Sequence, residues 1–370
     1  MDYYEVKKDL PTWPSNDTSR FINPYADQVG INTFIQIWTI AIAVIGTVGN
    51  IMVIAAVALH NSLRNIGNLF IVNLALADLG VSVVVNLASV AGSITSEEGI
   101  FLKYEWLCEV IAVVCIVTCS CSLWSIAAIA FNRYVWICHW QRYRKIFNRR
   151  TVPMMIAGLW FIGFLIDLPN ILGWGTHTFD WKVMSCTGGM SFVYSYAIFF
   201  AMTAFAIPLM IITFSYIGIF RFARNAAIAL DRMRENNGVQ NKNDKRKPGR
   251  AARPADLRLA RSVLVIVIIY LAMWTPYSLT VLIDHRVVYD RKLYILSYTL
   301  AHTNSSFNCV IYGATNQQFR RGYMHFIRLL FCRAKKVDLL ASVTGTATVR
   351  NNRVHPAQQT SPATNESILQ

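Results

Sequence analysis

Apolar residues in this chain come in long blocks almost free of charge, and no other feature constrains its fold as much. The blocks cover residues 33–59, 68–95, 108–138, 153–173, 191–220, 262–283 and 293–313. Each is close to the roughly 20 residues that a helix needs to cross a bilayer. With 54% hydrophobic and only 15% charged residues, the chain reads as an all-α membrane protein, a seven-transmembrane helix bundle. The third and seventh blocks carry several polar residues and are expected to be marginal alone, which turns them toward a protein interior.

Basic residues set the orientation. Of the 35 Lys and Arg, three lie in residues 1–32, one is Lys103, one is Lys182 and three follow the sixth block, while the other 27 fall in the alternate connections, the tail and Arg133. By the positive-inside rule the N-terminus is extracellular and the chain is a multi-pass protein of the plasma membrane. The opening MDYYEVKKDLPTWPSNDTSR is polar, so the first span is expected to direct insertion without a cleavable leader. The sequon Asn16-Asp17-Thr18 then lies outside as a glycosylation candidate. A net charge of +15 and the stretch KNDKRKPGR at 242–250 suit membrane lipids with anionic headgroups and acidic partners on the inner side. No nucleic-acid-binding motif accompanies them, so nucleic acid is not an expected partner.

The expected organisation is an extracellular N-terminus over 1–32, a seven-span domain over 33–313, an amphipathic membrane-surface helix over 314–332 and a disordered cytoplasmic tail over 333–370. The surface helix is read from NQQFRRGYMHFIRLLFC, whose last residue, Cys332, is a palmitoylation candidate. Cys115, Cys119, Cys121, Cys138 and Cys309 lie in or at the ends of spans and suit small apolar packing. Cys108 and Cys186 both fall on the oxidising side, where a disulfide between them would pin the long outer loop over the bundle. The absence of an internal repeat argues against a secondary transporter. The tail residues Ser342, Thr344, Thr346, Thr348, Thr360, Ser361, Thr364 and Ser367 are candidate phosphate acceptors.

Charges at bilayer depth are costly and therefore mark function. Asp78, in NLFIVNLALADLG, is the clearest, with Asn50, Ser122, Asn304, Ser305 and Asn308 as partners from other spans. Oxygen ligands around one carboxylate suit Na+ or a water cluster, so Asp78 is the candidate metal ligand and no other cofactor is expected. Arg133, in FNRYVWICHW, ends the third span, and Asp256 near the inner end of the sixth offers it a charged partner. Pro169, Pro208 and Pro276 each remove a helical hydrogen bond. Trp274 stands two residues before Pro276, which puts a bulky ring beside a hinge.

Together these residues resemble the rhodopsin-like (class A) G-protein-coupled receptors over about 33–332. The matches are Gly49-Asn50, LALAD ending in Asp78, Cys108, Arg133-Tyr134, Trp160, Pro208 with Tyr216, Trp274-x-Pro276 and Asn308-x-x-x-Tyr312. The resemblance implies that Arg133 is released on activation to meet a heterotrimeric G protein, with Tyr216 and Tyr312 holding the open state. It also implies arrestin and receptor kinases as partners of the Ser/Thr tail. Two positions depart: Asn132 replaces the acid that usually precedes the arginine, leaving more to Asp256, and Cys309 replaces the usual seventh-helix proline, which softens the kink.

A narrower resemblance is to the melatonin receptors and their invertebrate orphan relatives. It rests on NRYVWICHWQRY, ARPADLRL, Leu168-Pro169-Asn170 and FNCVIYGATNQQFRRGY, and it implies coupling to the Gi/o class. Gln141 stands where many receptors place an apolar anchor for the G protein. Asn170 is the asparagine that bonds ligand in that group. The group's loop aromatic, loop glutamine and fifth-helix histidine are replaced by Gly188, Met190 and Ala204, so the resemblance supports scaffold and coupling more than ligand.

Cys115 stands where amine receptors carry an aspartate and His302 where retinal proteins carry a lysine, which disfavours both classes. An extracellular small molecule, neutral or apolar, indole-like or lipid-like, remains, with a short peptide as alternative. Cys115, Asn170, Gly188, Met190, Ala204, Trp274, Tyr298 and His302 are the pocket candidates, with Trp174 and His177 above them. Without HExxH, GxSxG, a phosphate loop or CxxC the chain is not read as an enzyme. The rivals are a constitutively active receptor of the same fold and a seven-span channel or transporter that uses Asp78 and not Arg133.

Overall fold

The computed structural model describes residues 25, 27–94, 100–188, 193–237, 254–284 and 289–331, with side chains described for all but 102, 229–237, 254–260 and 262. Asn16, Met190, Cys332 and the Ser/Thr tail lie outside these residues, as does the side chain of Asp256. Residues up to Tyr323 form one compact unit and those from Met324 a second.

Seven long helices build the first unit: α1 (Val29–Leu59), α2 (Ile66–Ile94), α3 (Glu105–Cys138), α4 (Thr151–Ile171), α5 (Tyr194–Asn237), α6 (Pro254–Ile283) and α7 (Arg291–Thr315). Short helices Ile100–Lys103 and Trp140–Ile146 sit before and after α3. Between α4 and α5 the strands β1 (His177–Asp180) and β2 (Ser185–Gly188) pair antiparallel, with Phe179 opposite Cys186.

Six of the helices, α1 to α6, hold a stretch long and apolar enough to cross a membrane, and α7 is not among them. Its buried face is polar, from Ser297 and Thr299 through His302, Thr303, Asn304, Ser305 and Ser306 to Asn308, and neighbouring helices cover it. The expectation that α3 is marginal is corrected: its most apolar stretch has a mean hydropathy of 2.3 and is 72% buried. Two hydroxyls of α3 bond back onto their own helix, Thr118 to the Val114 carbonyl at 2.6 Å and Ser125 to that of Cys121 at 2.6 Å, so these two are satisfied without lipid or water.

α3 packs against α2, α4, α5 and α6, and α7 against α1 and α6. Close approach has a sequence cause. A Cβ on Gly49 would come within 2.9 Å of the Cys309 Cβ, so glycine there lets α1 and α7 touch. α5 carries a π-helical stretch, Ala201–Ala206, immediately before Ile207 and Pro208. Pro208 has no N–H for the Ala204 carbonyl, and widening the turn is one way to absorb that loss. α2 holds a second such stretch, Val81–Val85, with no proline in it.

At Cys309 α7 continues unbroken to Thr315, because cysteine keeps the N–H that the usual proline lacks. Extended backbone at Asn316 then ends the helix, and a new one begins at 317 rather than the expected 314. Its residues 317–323 close the first unit, where Phe319 stacks on Tyr312 at 4.8 Å between ring centroids and the Tyr323 hydroxyl donates to the Cys309 carbonyl at 3.0 Å. In the second unit the described residues 324–331 are helical and expose Met324, Ile327, Leu329, Leu330 and Phe331.

Candidate functional site

Asp78 is fully buried in the middle of the bundle. Ser122 of α3 donates to its Oδ1 at 3.0 Å and Asn308 of α7 to its Oδ2 at 2.7 Å, so one carboxylate ties three helices. Asn50 donates to the Gly46 carbonyl and to the Ser305 carbonyl, both at 2.9 Å, which adds α1. Asn304 turns its amide toward the Met273 sulfur at 4.0 Å instead of joining Asp78. The side-chain oxygens of Asn50, Asn304 and Asn308 are buried without a hydrogen-bond partner. Oxygens left over beside a carboxylate form a donor set that suits a small hard cation or water. Among the described residues no group of three or more His, Cys, Asp or Glu is placed to hold a metal ion, so a transition-metal centre of that composition is not what the core offers.

At the far end of α3, Arg133 is buried and its Nη2 donates to Asn68 Oδ1 of α2 at 2.9 Å. The Asn132 amide donates to the Tyr143 hydroxyl at 3.1 Å. The neutral residue in this motif therefore fastens α3 to the short helix Trp140–Ile146. Tyr134 bonds His139 at 2.9 Å and packs edge-on against Phe214 of α5 at 5.3 Å. Tyr216 of α5 and Tyr312 of α7 are within electrostatic reach of the guanidinium, which brings together three of the residues expected to form a switch.

Above Asp78 an aromatic chain crosses from α5 to α7. Phe205 lies 5.6 Å from Trp274, Trp274 6.4 Å from Tyr277, Tyr277 5.8 Å from Tyr298 and Tyr298 4.1 Å from His302. Pro276 sits inside α6 within this chain, and Thr280 bonds its carbonyl at 2.8 Å. A displacement of Trp274 is thus a displacement of rings on two neighbouring helices.

The hairpin enters the bundle from that side. β2 is buried along its length, Cys186 is bonded to Cys108 of α3 with Cα atoms 5.3 Å apart, and Ser185 meets Ser89 of α2 at 2.7 Å between hydroxyls. A Cβ on Gly188 would lie 2.6 Å from the Ile116 side chain, so glycine lets the strand lie against α3. Cys115 and Ala204 are buried, the latter packed among Tyr196, Phe200 and Ile166. His302 Nδ1 bonds Asn86 Oδ1 at 2.9 Å.

Asn170 does not stand alone as a ligand group. Its amide donates to Asp167 Oδ1 at 3.0 Å, and the same oxygen pairs with His177 Nε2 of β1 at 2.9 Å. A cavity of about 500 Å³ lies beside this pair, bounded by Glu109, Val110, Val113, Asn170, Thr176 and His177. Trp174 points elsewhere, donating to Ser195 at 3.0 Å.

Asp167, Asn86 and Asn68 were not among the residues singled out in the sequence. Asp167 carries the same signal as Asp78, a carboxylate within an apolar block, and that test applied evenly finds it. Asn68 and Asn86 are neutral, and only their contacts distinguish them. A cap at the hairpin end was also missed. Arg291 donates to Gln28 at 2.9 Å, Asn32 at 2.8 Å and the Lys182 carbonyl at 3.1 Å, and Lys182 donates to the Tyr289 carbonyl at 2.9 Å. Burial raises the Asp180 carboxyl above its usual range and lowers the Lys182 ammonium below its own.

Residues 49–312 match the family described as 7 transmembrane receptor (rhodopsin family). Among curated relatives, the mouse melatonin receptor type 1A is 32% identical over 82% of this chain and 81% of its own length. The human melatonin receptor type 1B is 31% identical over 78% of this chain and 76% of its own. Among solved structures, squid rhodopsin superposes with a TM-score of 0.68 at 22% identity, covering 86% of this chain and 93% of that one.

Proposed function

Because this chain belongs to the rhodopsin family of seven-transmembrane receptors, a multi-pass membrane protein that signals through G proteins and is not an enzyme, we propose that it answers a small neutral or apolar extracellular ligand by activating a heterotrimeric G protein of the Gi/o class. The N-terminus and the hairpin then face outside. The observation that carries this reading is Arg133, buried against Asn68 with Tyr216 and Tyr312 in reach. A buried charge held by hydrogen bonding to α2 is one that a rearrangement of α5, α6 and α7 can release, and a two-state element of this kind is what a ligand needs in order to bias coupling.

The ligand would sit between the aromatic chain and β2, along the run from Trp274 through Tyr277 to Tyr298 and His302. The loss of the aromatic at Gly188, the glutamine at Met190 and the histidine at Ala204 leaves an indole with fewer anchors than in the melatonin receptors, so the natural agonist need not be melatonin. Na+ would be held by Asp78, Ser122 and the free amide oxygens of Asn50, Asn304 and Asn308, and its charge would favour an ionised Asp78. Receptor kinases and arrestin would act on the Ser/Thr tail, glycosylation on Asn16 and palmitoylation on Cys332.

A second reading, signalling without agonist, is favoured by one observation: Asn132 bonds Tyr143 and supplies no carboxylate to Arg133. Both are tested by cAMP in forskolin-stimulated cells expressing the chain, with and without melatonin, beside Arg133→Ala. A melatonin-dependent fall absent in the variant supports the ligand class and coupling together. A ligand-independent fall abolished by the variant selects constitutive signalling. Unchanged cAMP in every arm rules out both melatonin-driven and agonist-free Gi/o signalling and sends the search to other ligands and other G proteins.

A further inference from the structure

Three polar side chains from three helices meet inside the ligand site proposed above. Cys115 of α3, His302 of α7 and Asn86 of α2 are all buried, and His302 Nδ1 bonds Asn86 Oδ1 at 2.9 Å. An amide oxygen only accepts, so Nδ1 carries the ring's hydrogen and Nε2 keeps its lone pair. The Cys115 thiol is within hydrogen-bonding reach of this imidazole and of the Cys119 thiol one turn along α3. A thiol beside an imidazole whose other nitrogen is held by an amide is an arrangement that makes cysteine a nucleophile. The imidazole can take the proton, and the amide fixes the imidazole.

Two further observations put room and a polar partner beside the sulfur. Cys115 keeps 9% of its surface accessible and Trp274 8%, whereas Cys121, set against Asn73 of α2, keeps 0%. The Tyr298 hydroxyl, one turn from His302, is buried with no partner at bonding distance, and the Ser89 and Ser185 hydroxyls beside it bond each other at 2.7 Å. Tyr298 also lies within electrostatic reach of Cys115. A buried hydroxyl left unpaired costs free energy, and a ligand oxygen that accepts from it removes that cost. The remaining wall is aromatic, from Phe205 through Trp274 and Tyr277 to Tyr298.

We propose that the ligand is an α,β-unsaturated carbonyl compound with an apolar body and that Cys115 captures it covalently. The sulfur bonds the β carbon as the C=C π bond breaks, and the electron pair moves onto the carbonyl oxygen as an enolate that accepts from the Tyr298 hydroxyl. The thiol proton passes to His302 Nε2 and returns to the α carbon, which restores the carbonyl. All atoms of thiol and ligand are kept in the thioether product, and neither oxidant nor reductant takes part. The inference rests on the ligand site of the preceding reading, makes its chemistry specific and is independent of which G protein the chain uses.

The full-length receptor in phosphatidylcholine nanodiscs is incubated with a vinyl ketone whose alkyl chain ends in an alkyne, and labelled cysteines are quantified by peptide mass spectrometry. Cys115 is expected to take the label ahead of Cys138, although Cys138 is the less buried of the two, and to lose that lead when the chain is unfolded in SDS. His302→Gln should slow labelling of Cys115 about 100-fold, as loss of a general base does, and leave Cys138 unchanged. Faster labelling of Cys138 than of Cys115 in the native receptor, the same lead after unfolding, or a Cys115 rate unaltered by His302→Gln would each overturn the proposal. Thermal melting identifies a His302 variant that has misfolded; Asn86→Ala then repeats the test, because a base without its orienting amide also slows the labelling. Labelling read by mass needs no G protein. In the cAMP assay, a fall driven by the vinyl ketone that survives Cys115→Ser overturns the proposal and leaves Gi/o coupling standing. Labelling of Cys115 with no cAMP response supports the proposal and counts against Gi/o coupling.

Discussion

At the hairpin end, Arg291 joins α7 to Gln28, Asn32 and the Lys182 carbonyl, a disulfide fixes β2 to α3, and Asp167 pairs with His177. At the other end, Arg133 donates to the neutral Asn68 and Asn132 to the neutral Tyr143. The first set holds a covalent cross-link, a guanidinium shared among three acceptors and a buried carboxylate bonded to two side chains, so each anchor has more than one tie. Each of the two bonds at the other end joins one donor to one neutral acceptor, and exchanging such a bond for another of the same kind costs little. A receptor built this way has a stiff end that shapes a pocket and a yielding end that changes partner.

Breaking the disulfide should have the largest effect. Cys186→Ser opens a loop of 78 residues and should cost about 4 kcal/mol by the loop-entropy account, read as lost surface expression and a lower melting temperature. An unchanged melting temperature would mean that the hairpin is held by its other contacts alone.

His177→Ala should come next. It leaves the fully buried Asp167 carboxylate without its imidazole, at a cost of about 3 kcal/mol. Asp167→Asn in the same background should recover part of that, because the amide keeps an acceptor for Asn170 and carries no charge. A double-mutant cycle in which the two changes simply add would remove the pair from the comparison.

At the yielding end, Asn68→Ala removes an acceptor of the Arg133 guanidinium, worth about 1.5–3 kcal/mol for a charged donor. Basal G-protein signalling should rise several-fold with little change in melting temperature. Asn132→Asp should act in the opposite direction and more weakly, placing a carboxylate beside Arg133 and lowering basal output. Unchanged basal output in that variant would show that the motif's acid is not needed to hold this arginine.

The smallest effect concerns pH at the hairpin. Burial raises the Asp180 carboxyl, so its folded pKa lies above the unfolded one. Its contribution to stability is complete below the unfolded pKa and is lost as pH rises through the folded value. Asp180→Asn keeps the acceptor for the Lys182 N–H and should flatten that part of the melting-temperature profile above the ordinary carboxylate range. A slope that survives in the variant assigns it to another group.

Much of the architecture is legible in one dimension because a bilayer allows few solutions. Every backbone group must be satisfied inside its own helix, so apolar blocks of sufficient length become spans. α7 shows the limit of that rule, since its polar face passes for a span only when the covering helices are known. Asp78 and Arg133 were readable because charge in an apolar block is rare. Asp167 carried the same mark and was passed over, and its partner His177 lies in a loop whose path the sequence does not give.

What the sequence determined by itself is therefore the number of spans, the carboxylate and guanidinium they must accommodate, and the two cysteines available for the outer loop. What only the tertiary structure decided is who meets whom: Arg133 with Asn68, Asn132 with Tyr143, and Asn170 with Asp167 and His177. Hydrophobic periodicity reports the environment that each residue needs. Pairing depends on how far each helix rotates and slides against its neighbours, and that is fixed by packing between residues remote in sequence.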